Sequence, residues 1–472
     1  MRSIIPNRKS ASLTPQEEEA HRQRMINNAA KVLKVILRLL KPLIKELPDP
    51  RDPRYITYSK EELLFCGIIL FIHQAKSRRQ ANLILTEPFM QENLKAVFPG
   101  LNAIPHSDTV ANYLKRIDAE LIQCIYFALI KKLLRNKEFK RFAGRFRIIV
   151  DGSGKNSKSW NYSDKAQSRK TQNGEYWQTY VLNAVLILEN GMPLPICTVF
   201  LENTGREFDK QDCEIKAWYR MAPKLRYIFG YQATILFDGL YASGPVILSC
   251  RKYRWDYVIT LKDGSMPVFA EEAHNLMEFE VANRVTAETD EGKTQEIRWV
   301  NEVEHEISKN HTYLKLNVIR MTESWTVTHP VTKKPTEYKK VTYQWITSRP
   351  VNKSNAQKLC QLGRSRWLIE NFFKTEKNDG YNFEHSYSLD WNANKAYHYC
   401  MNIGHFVNIM LMSSELFSDM ILGLGGISGF VSKMRLVFSG MVLNADMIRA
   451  AVAEPFRWKL NPICIYQRAS GP

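Results

Sequence analysis

The spacing of apolar residues changes twice along the chain, and these changes constrain the fold more than any other feature of the sequence. Up to about residue 140, apolar side chains recur every three or four positions, which predicts amphipathic helices. Examples are Leu33, Ile36, Leu37, Leu40 and Ile44. Short β-rich runs follow from about residue 145, and helical spacing returns from 355 to about 412. The sequence therefore predicts an α/β protein whose core lies between two helical regions.

The β-rich region between residues 145 and 262 predicts a mixed sheet. Strands are expected at 146–150, 177–188, 193–201, 231–237 and 255–261. Helices are expected at 212–225 and 241–253. The predicted order is three strands, a helix, a strand, a helix and a strand, with Asn190-Gly191 as the hairpin turn between the second and third strands.

Residues 263–345 alternate between polar and apolar side chains, and polar turns bound them. We interpret this stretch as a separate antiparallel sheet inserted into the core. A Gly-rich segment at 423–429 then precedes a C-terminal tail that we expect to be helical.

The balance of charge limits the possible partners. The chain of 472 residues has 66 Lys plus Arg against 48 Asp plus Glu, a formal net charge of +18 and a pI near 9.4. Such an excess of cations favours a polyanion, either a nucleic acid or an anionic membrane surface. The apolar fraction of 44% and the aromatic fraction of 11% exclude a disordered basic tail, because burying that surface offsets the entropy lost on ordering.

The longest apolar run, at 63–72, has ten residues and reads as a buried helix segment. A bilayer span needs roughly 20. The N-terminus also lacks the apolar core of a secretory signal. We therefore expect no membrane partner and a soluble, intracellular protein. The eight cysteines are never closer than 16 positions, which excludes a C-x-x-C pair, and we expect them to be reduced and mostly buried.

The segment 105–116 is a candidate for a helix that enters a DNA groove. A serine or aspartate at its start can act as the N-cap, and its last turn is basic. A surface helix of an ordinary bundle is an equally good interpretation of the same residues.

Three carboxylates stand where a sheet edge can gather them. Asp151 and Asp238 each follow a predicted strand, and Glu370 lies on a predicted helix. Oxygen ligands of this kind suit two Mg²⁺ ions about 4 Å apart, which activate the attacking oxygen and stabilise the leaving one in phosphodiester chemistry. Each Asp-Gly pair is also an ordinary turn after a strand, and Arg366 with Glu370 is also an ordinary surface pair. Their joint placement in so basic a chain favours the catalytic interpretation.

This layout resembles the RNase H-like core of the DDE transposases, in particular the bacterial insertion-sequence transposases of the insertion-sequence-four family. That family has a signature in which Tyr, Arg, Glu and Lys recur at fixed spacing. Arg366, Glu370 and Lys377 match its last three residues, whereas Gly363 stands at the tyrosine position. The resemblance in layout covers about 145–412.

The resemblance implies an activity and its site residues. It implies cleavage of DNA at transposon ends and joining of the 3′-hydroxyl ends to target DNA, by cut-and-paste through a hairpin. Asp151, Asp238 and Glu370 would hold two Mg²⁺ ions, with Mn²⁺ equally suited to the oxygen ligands. Trp345 would stack on a flipped base, the alternative being a core aromatic of the inserted sheet. Glu376 is the rival to Glu370, which we prefer because the Arg and Lys spacing is measured from it.

The resemblance also implies a division of the chain and its partners. We expect a helical DNA-binding region at 1–144, two parts of an RNase H-like core at 145–262 and 346–412, and a β-rich insertion at 263–345. A helical region at 413–472 would contribute to dimerisation. The partners would be terminal inverted repeats, target DNA and a second copy in a synaptic complex. A non-catalytic DNA-binding derivative and an RNase H-like nuclease without strand transfer are the alternatives.

Several cations are candidates for contacts with DNA. Arg366 and Lys377 flank Glu370, and Lys262 follows the fifth strand. A basic cluster with nearby aromatic residues can track a phosphate backbone, although a solvated loop explains it as well. Its members are Lys155, Lys158, Lys165, Arg169 and Lys170, with Trp160, Tyr162 and Trp177.

Overall fold

The computed structural model describes residues 14–461, apart from 99, 173, 204–210, 263, 290–291, 309–311, 329–334, 422–423 and 441. The described chain divides into two compact units. Unit 1 contains residues 14–132 and 378–461, and unit 2 contains residues 133–377. These two units are defined by which residues pack together. The five segments expected from the sequence were defined by function, and their functions stay predictions.

The first part of unit 1 is helical, as the apolar spacing predicts. Its helices are α1 (Pro15–Lys45), α2 (Lys60–Ile72), α3 (Arg78–Leu85), α4 (Pro88–Val97), α5 (Ser107–Arg116) and α6 (Ala119–Leu133). Thr14 and Ser59 each form a capping box at the start of α1 and α2, which satisfies backbone N–H groups that the helix leaves open. The apolar run at 63–72 lies within α2 and is buried along its length, so the interpretation as a buried helix segment is confirmed.

The candidate groove helix at 105–116 forms α5, but its N-cap is His106 and not a serine or aspartate. The His106 ring nitrogen accepts a hydrogen bond from the Asp108 backbone N–H at 3.2 Å. The Ser107 N–H donates instead to Asn82, so Ser107 is already inside the first turn. One face of α5, which carries Val110 and Leu114, is buried, and its role in DNA binding stays a prediction.

Unit 2 contains the strands in the predicted order. They begin with β1 (Phe146–Lys158), β2 (Gln167–Thr171), β3 (Gly174–Ile187) and β4 (Pro193–Leu201), followed by α7 (Glu214–Phe229), β5 (Ala233–Phe237), α8 (Gly244–Lys252) and β6 (Asp256–Thr260). The sequence did not predict β2, and β1 runs well past its predicted end because it continues to pair with β3 beyond Asp151. The rest of the order agrees with the prediction.

The inserted region adds one helix and four strands to unit 2. These are α9 (Pro267–Phe279), β7 (Arg284–Glu288), β8 (Thr294–Ser308), β9 (Thr312–Thr328) and β10 (Pro335–Thr347), after which come α10 (Ala356–Ser365) and α11 (Leu368–Asn378). The prediction of a separate sheet is wrong. The end of β10 pairs antiparallel with β6, with Trp345 opposite Thr260, so the insertion extends the core sheet at its edge.

The ten described strands form one sheet in the order β2-β3-β1-β5-β6-β10-β9-β8-β7, with β4 paired to β3. Only the β1–β5 and β5–β6 pairs are parallel, as far as the described residues go. Ile149 lies opposite Leu236, and continuing that register by two residues brings Asp151 opposite Asp238. The two predicted acids therefore lie side by side where the parallel pairing of β1 with β5 ends, although β1 itself continues to Lys158.

The chain returns to unit 1 for α12 (Trp391–Met412), α13 (Ile427–Gly440) and α14 (Ala445–Ala453), which agrees with the helical spacing. Helix α12 is buried along nearly all its length and packs against α2. Five of the cysteines within the described residues are buried, as expected; they are Cys66, Cys197, Cys250, Cys360 and Cys400. Cys464 lies outside the described residues. Across the described ranges, no helix combines the length and the apolar character needed to cross a membrane.

Two glycines of the α2–α12 contact give a matched pair of variants. A Cβ on Gly404 would lie 2.7 Å from Phe71 Cβ and 3.1 Å from the Ile72 backbone nitrogen, whereas one on Gly67 meets Cys400 Sγ at 3.4 Å. We expect Gly404→Ala to destabilise unit 1 by about 1–3 kcal/mol, because backbone cannot move aside. Gly67→Ala should be neutral or stabilising by up to about 1 kcal/mol, because alanine favours the helix. Thermal unfolding followed by circular dichroism measures both, and equal effects would contradict this packing.

Candidate active site

Two acids approach each other where β1 and β5 run side by side. Asp151 lies within β1, and its Oδ1 accepts a hydrogen bond from the Gly152 N–H at 2.9 Å. Asp238 is the N-cap of the 3₁₀ turn Gly239–Tyr241, and its Oδ1 accepts from the Leu240 N–H at 2.9 Å. Both side chains are mostly buried, with exposed fractions of 25% and 21%. The remaining exposure leaves each carboxylate open at the sheet edge.

Arg366 brings the third acid to the same place. It lies between α10 and α11 with its side chain 9% exposed. One guanidinium nitrogen lies 3.3 Å from Asp151 Oδ2, and another lies 3.9 Å from Glu370 Oε1. Because guanidinium is planar and always charged, it can face two carboxylates at once. Arg366 and Glu370, four residues apart on one segment, therefore lie near Asp151, which is 215 positions away from Arg366 in the sequence.

Lys262 lies at this site as well. Its Nζ is 3.1 Å from Asp238 Oδ2, and its stem lies 3.0 Å from the position of a Cβ on Gly239. The Lys262 side chain is 58% exposed, so the cation also faces solvent. Each of the two strand-end acids thus has a cation in direct contact.

The charge state of Asp151 reflects its surroundings. The pKa of Asp151 is raised to about 6, chiefly because burial disfavours the charged carboxylate. The Arg366 guanidinium and the Gly152 N–H lower this pKa, and the charges of Asp238 and Glu214 make smaller contributions that raise it. Burial therefore decides the direction of the shift.

Glu214 is a neighbour of the site that the sequence did not reveal. It is the first residue of α7, and its two carboxylate oxygens accept hydrogen bonds from the Tyr180 and Tyr241 hydroxyls, each at 2.8 Å. A Cβ on Gly152 would lie 2.5 Å from the Glu214 Cδ, so the carboxylate packs directly against the backbone next to Asp151. Acids are common in the first turn of a helix, so its sequence position gives no signal.

Trp345 is placed away from solvent. It is 3% exposed within the hydrophobic core of unit 2 and stacks on Tyr343 with ring centres 5.9 Å apart. A Cβ on Gly363 would lie 2.3 Å from the Trp345 indole. The structure therefore fits the alternative interpretation, a core aromatic of the inserted sheet, because a stacking base would have to displace this packing. The same contact leaves no room for a side chain at position 363.

Lys155 is also buried, and its contact with DNA stays a prediction. It is 5% exposed, and burial lowers its pKa to about 8 while the charge of Glu376 raises it. Glu376 itself is 0% exposed, and Glu370 remains the preferred residue because Arg366, which contacts Asp151, also lies near it. Lys155 on β1 and Glu376 on α11 thus form a buried pair of opposite charges between these two elements.

The remaining candidate cations lie outside the acid site. Lys377 is half-buried in the last turn of α11, two turns beyond Glu370, and its contact with DNA stays a prediction. Arg169 and Lys170 are exposed on β2, so this part of the basic cluster is a strand and not a solvated loop. Trp160, which belongs to the same cluster, is 51% exposed.

The acids fit a divalent cation in their chemistry, since carboxylate oxygens are the preferred ligands of Mg²⁺ and Mn²⁺. Over the described part of the chain, no three His, Cys, Asp or Glu side chains lie together closely enough to hold a metal ion. Arg366 stands between Asp151 and Glu370 instead.

Comparison with known proteins gives two family matches. A family model described as "Transposase DDE domain" matches residues 147–403, which is more than half of the 472 residues. A second model, described as "DDE_Tnp_1-associated", matches residues 42–129, within the helices of unit 1. No curated protein matches the chain.

Restoring the signature tyrosine tests the packing of Trp345. We expect Gly363→Tyr to destabilise unit 2 by about 1–3 kcal/mol or more, because the new side chain overlaps the indole. Adding Trp345→Ala to Gly363→Tyr should recover part of the loss, whereas Trp345→Ala alone should destabilise. The melting temperatures of the three variants form a double-mutant cycle, and additive losses would show that the two positions do not touch.

The raised pKa of Asp151 gives a dependence of stability on pH. Its folded pKa of about 6 exceeds the ordinary aspartate pKa of 3.8, so the folded state binds the proton more tightly, and stability is lost as pH rises from about 4 through 6. We expect Asp151→Asn, measured in chelator, to be more stable than the wild type by about 1–3 kcal/mol at pH 7.5 and equal to it near pH 4.

Asp256 supplies the matched control for this measurement. It pairs with Arg145 at 2.8 Å and with Arg349 at 2.5 Å. Asp256→Asn should therefore destabilise the protein at pH 7.5. A destabilised Asp151→Asn at pH 7.5 would contradict the electrostatics described for Asp151.

Proposed function

The chain belongs to the family of transposases with a DDE domain, and on that premise we propose that Asp151, Asp238 and Glu370 carry DNA cleavage and strand transfer. The substrate would be the terminal inverted repeats of a mobile element, and the 3′-hydroxyl ends would be joined to target DNA. Cut-and-paste through a hairpin is part of the same proposal. DNA cleavage and joining would take place on the bacterial nucleoid.

One observation carries the assignment of the site. Asp151 and Asp238 lie side by side where the parallel pairing of β1 with β5 ends, and Arg366 contacts both Asp151 and Glu370 of α11. The strand order β4-β3-β1-β5-β6, antiparallel in its first half and parallel in its second, supports an RNase H-like core. This arrangement of Asp151 and Asp238, with Arg366 between Asp151 and Glu370, supports the proposal that the three acids act on one phosphodiester.

Asp151, Asp238 and Glu370 would hold the divalent cations. Such ions polarise the phosphodiester and supply an activated oxygen at neutral pH. Arg366 would exchange its contact with Asp151 or Glu370 for a phosphate oxygen, because the guanidinium fork matches both groups. Lys262, half exposed beside Asp238, would offset phosphate charge on the other side of the site. Neither cation needs to leave the site for this exchange.

Trp367 is the aromatic residue that we propose for base stacking near the acids. It is 52% exposed, and the Arg366 guanidinium carbon lies 5.1 Å from its ring centre. It is three residues before Glu370 on the same turn of chain. Stacking of a base on an exposed aromatic is worth about 1–3 kcal/mol, and Trp367 can provide it without disturbing the core.

Unit 1 offers a basic surface for contacts away from the acids. Four cations follow one side of α1 at intervals of three or four residues and border a cavity of about 530 Å³; they are Lys34, Arg38, Lys41 and Lys45. Spacing of this kind can neutralise successive phosphates, and it makes binding sensitive to salt. We propose that this surface contributes to binding transposon ends. Synapsis of two ends would require two copies of the chain.

The proposal is tested by cleavage of DNA that contains the element's ends, in Mg²⁺ or Mn²⁺. Asp151→Ala, Asp238→Ala and Glu370→Ala should each lower the rate by at least about a hundredfold, because each removes a ligand of the reacting ions. Glu271→Ala, which removes an exposed acid on α9, serves as the control and should cut at the wild-type rate.

The outcomes separate the competing functions. Wild-type rates in all three acid variants would overturn the assignment of the site. Salt-sensitive DNA binding without cleavage would instead indicate a non-catalytic derivative. Cleavage without joining of pre-cut ends would indicate a nuclease.

A further inference from the structure

The Glu214 carboxylate contacts residues that adjoin both Asp151 and Asp238. Its carboxylate accepts one hydrogen bond from the Tyr180 hydroxyl on β3 and one from the Tyr241 hydroxyl. Tyr241 lies in the 3₁₀ turn that Asp238 begins. Tyr241 is 0% exposed, so its hydroxyl can satisfy its hydrogen bond only inside the protein. Losing the acceptor would therefore affect the turn after Asp238.

Glu214 also lies against the other acid. Gly152 follows Asp151 directly, and no side chain fits there, because a Cβ would meet both the Glu214 carboxyl carbon at 2.5 Å and the Tyr180 ring at 2.7 Å. The Gly152 N–H in turn donates to Asp151 Oδ1. The Glu214 carboxylate thus backs the segment of β1 that orients Asp151.

Glu214 differs from the three proposed site acids in its ion pairing. Within the described residues, neither Lys nor Arg forms an ion pair with Glu214, whereas Asp151, Asp238 and Glu370 each have a cation in contact. Asp151 thus has two further acids in its electrostatic surroundings, Asp238 and Glu214, and Arg366 and Lys262 each pair with one strand acid. Coulomb attraction makes such an excess of negative charge favourable for a divalent cation and unfavourable without one.

We propose that Glu214 is a positioning residue of this site: its charge and its two tyrosine hydrogen bonds prepare Asp151 and Asp238 to receive a divalent cation. This inference rests on the proposed function, in which those acids hold the ions. Glu214 acts through Asp151 and through the Tyr241 turn and does not itself ligate. Residues behind metal ligands typically change metal affinity by about 10–100-fold when they are replaced.

The test is direct titration of the full chain with Mn²⁺, with free Mn²⁺ read by electron paramagnetic resonance and without DNA. We expect Glu214→Gln to weaken Mn²⁺ binding by about tenfold. Its melting temperature in chelator should equal or exceed that of the wild type, because glutamine keeps the shape and removes the repulsion with Asp151. Those two changes have opposite signs, and a residue that only holds the fold would not produce them together.

Three further variants complete the design. Tyr180→Phe removes a hydrogen bond but keeps the charge, so it should lower the melting temperature and change Mn²⁺ affinity less than Glu214→Gln does. Glu271→Gln removes one exposed negative charge on α9 and should leave Mn²⁺ binding unchanged. Asp238→Asn should weaken binding strongly, which identifies the site being titrated.

The results distinguish failure of the Glu214 role from failure of the proposed function. Unchanged Mn²⁺ affinity in Glu214→Gln, with Asp238→Asn impaired, overturns the role of Glu214 and leaves the proposed function intact. A melting temperature in chelator that falls together with the affinity assigns Glu214 a purely structural role and also overturns it. Absence of any Mn²⁺ binding that depends on Asp238 in the wild type overturns the proposed function itself, and the inference with it.

Discussion

The parallel pairing of β1 with β5 is the constraint on which the site depends. It fixes Asp151 and Asp238 at one edge of the sheet, because both strands end in the same direction with a common register. Everything else at the site is arranged around this edge. Arg366 reaches Asp151 from α11's side, Lys262 reaches Asp238 from the end of β6, and Glu214 supports both from α7.

Burial and charge oppose each other at this edge. Mostly buried acids that lie close together raise the free energy of the folded protein, and the pKa of Asp151 rises as a result. A protein that needs stability alone would replace such acids with apolar residues. Their presence, together with the two cations in contact, supports the proposed role of these acids in binding divalent cations and an anionic substrate. The family match to the region 147–403 agrees with that requirement.

The sheet also shows how an insertion can become part of a core. Because β10 pairs with β6 on one side and with β9 on the other, the inserted strands extend the sheet that carries the acids. Trp345 lies at that junction, and Gly363 on α10 makes room for it. The glycine at position 363 and the burial of Trp345 therefore depend on the same contact. The exposed aromatic beside the acids is Trp367.

The sequence by itself determined most of the order of helices and strands, although not β2 or α9, together with the positions of Asp151 and Asp238 after predicted strands and the Arg-x-x-x-Glu helix. These features depend on local periodicity and spacing, which neighbouring residues specify. Only the tertiary structure decided that Lys155 and Trp345 are buried, that the insertion joins the core sheet, and that Glu214 lies behind Asp151. Those outcomes depend on strand pairing and on contacts between residues distant in the chain, such as the 215 positions that separate Asp151 from Arg366. No local pattern records such contacts, since the same helix-start glutamate or alternating strand is compatible with many partners.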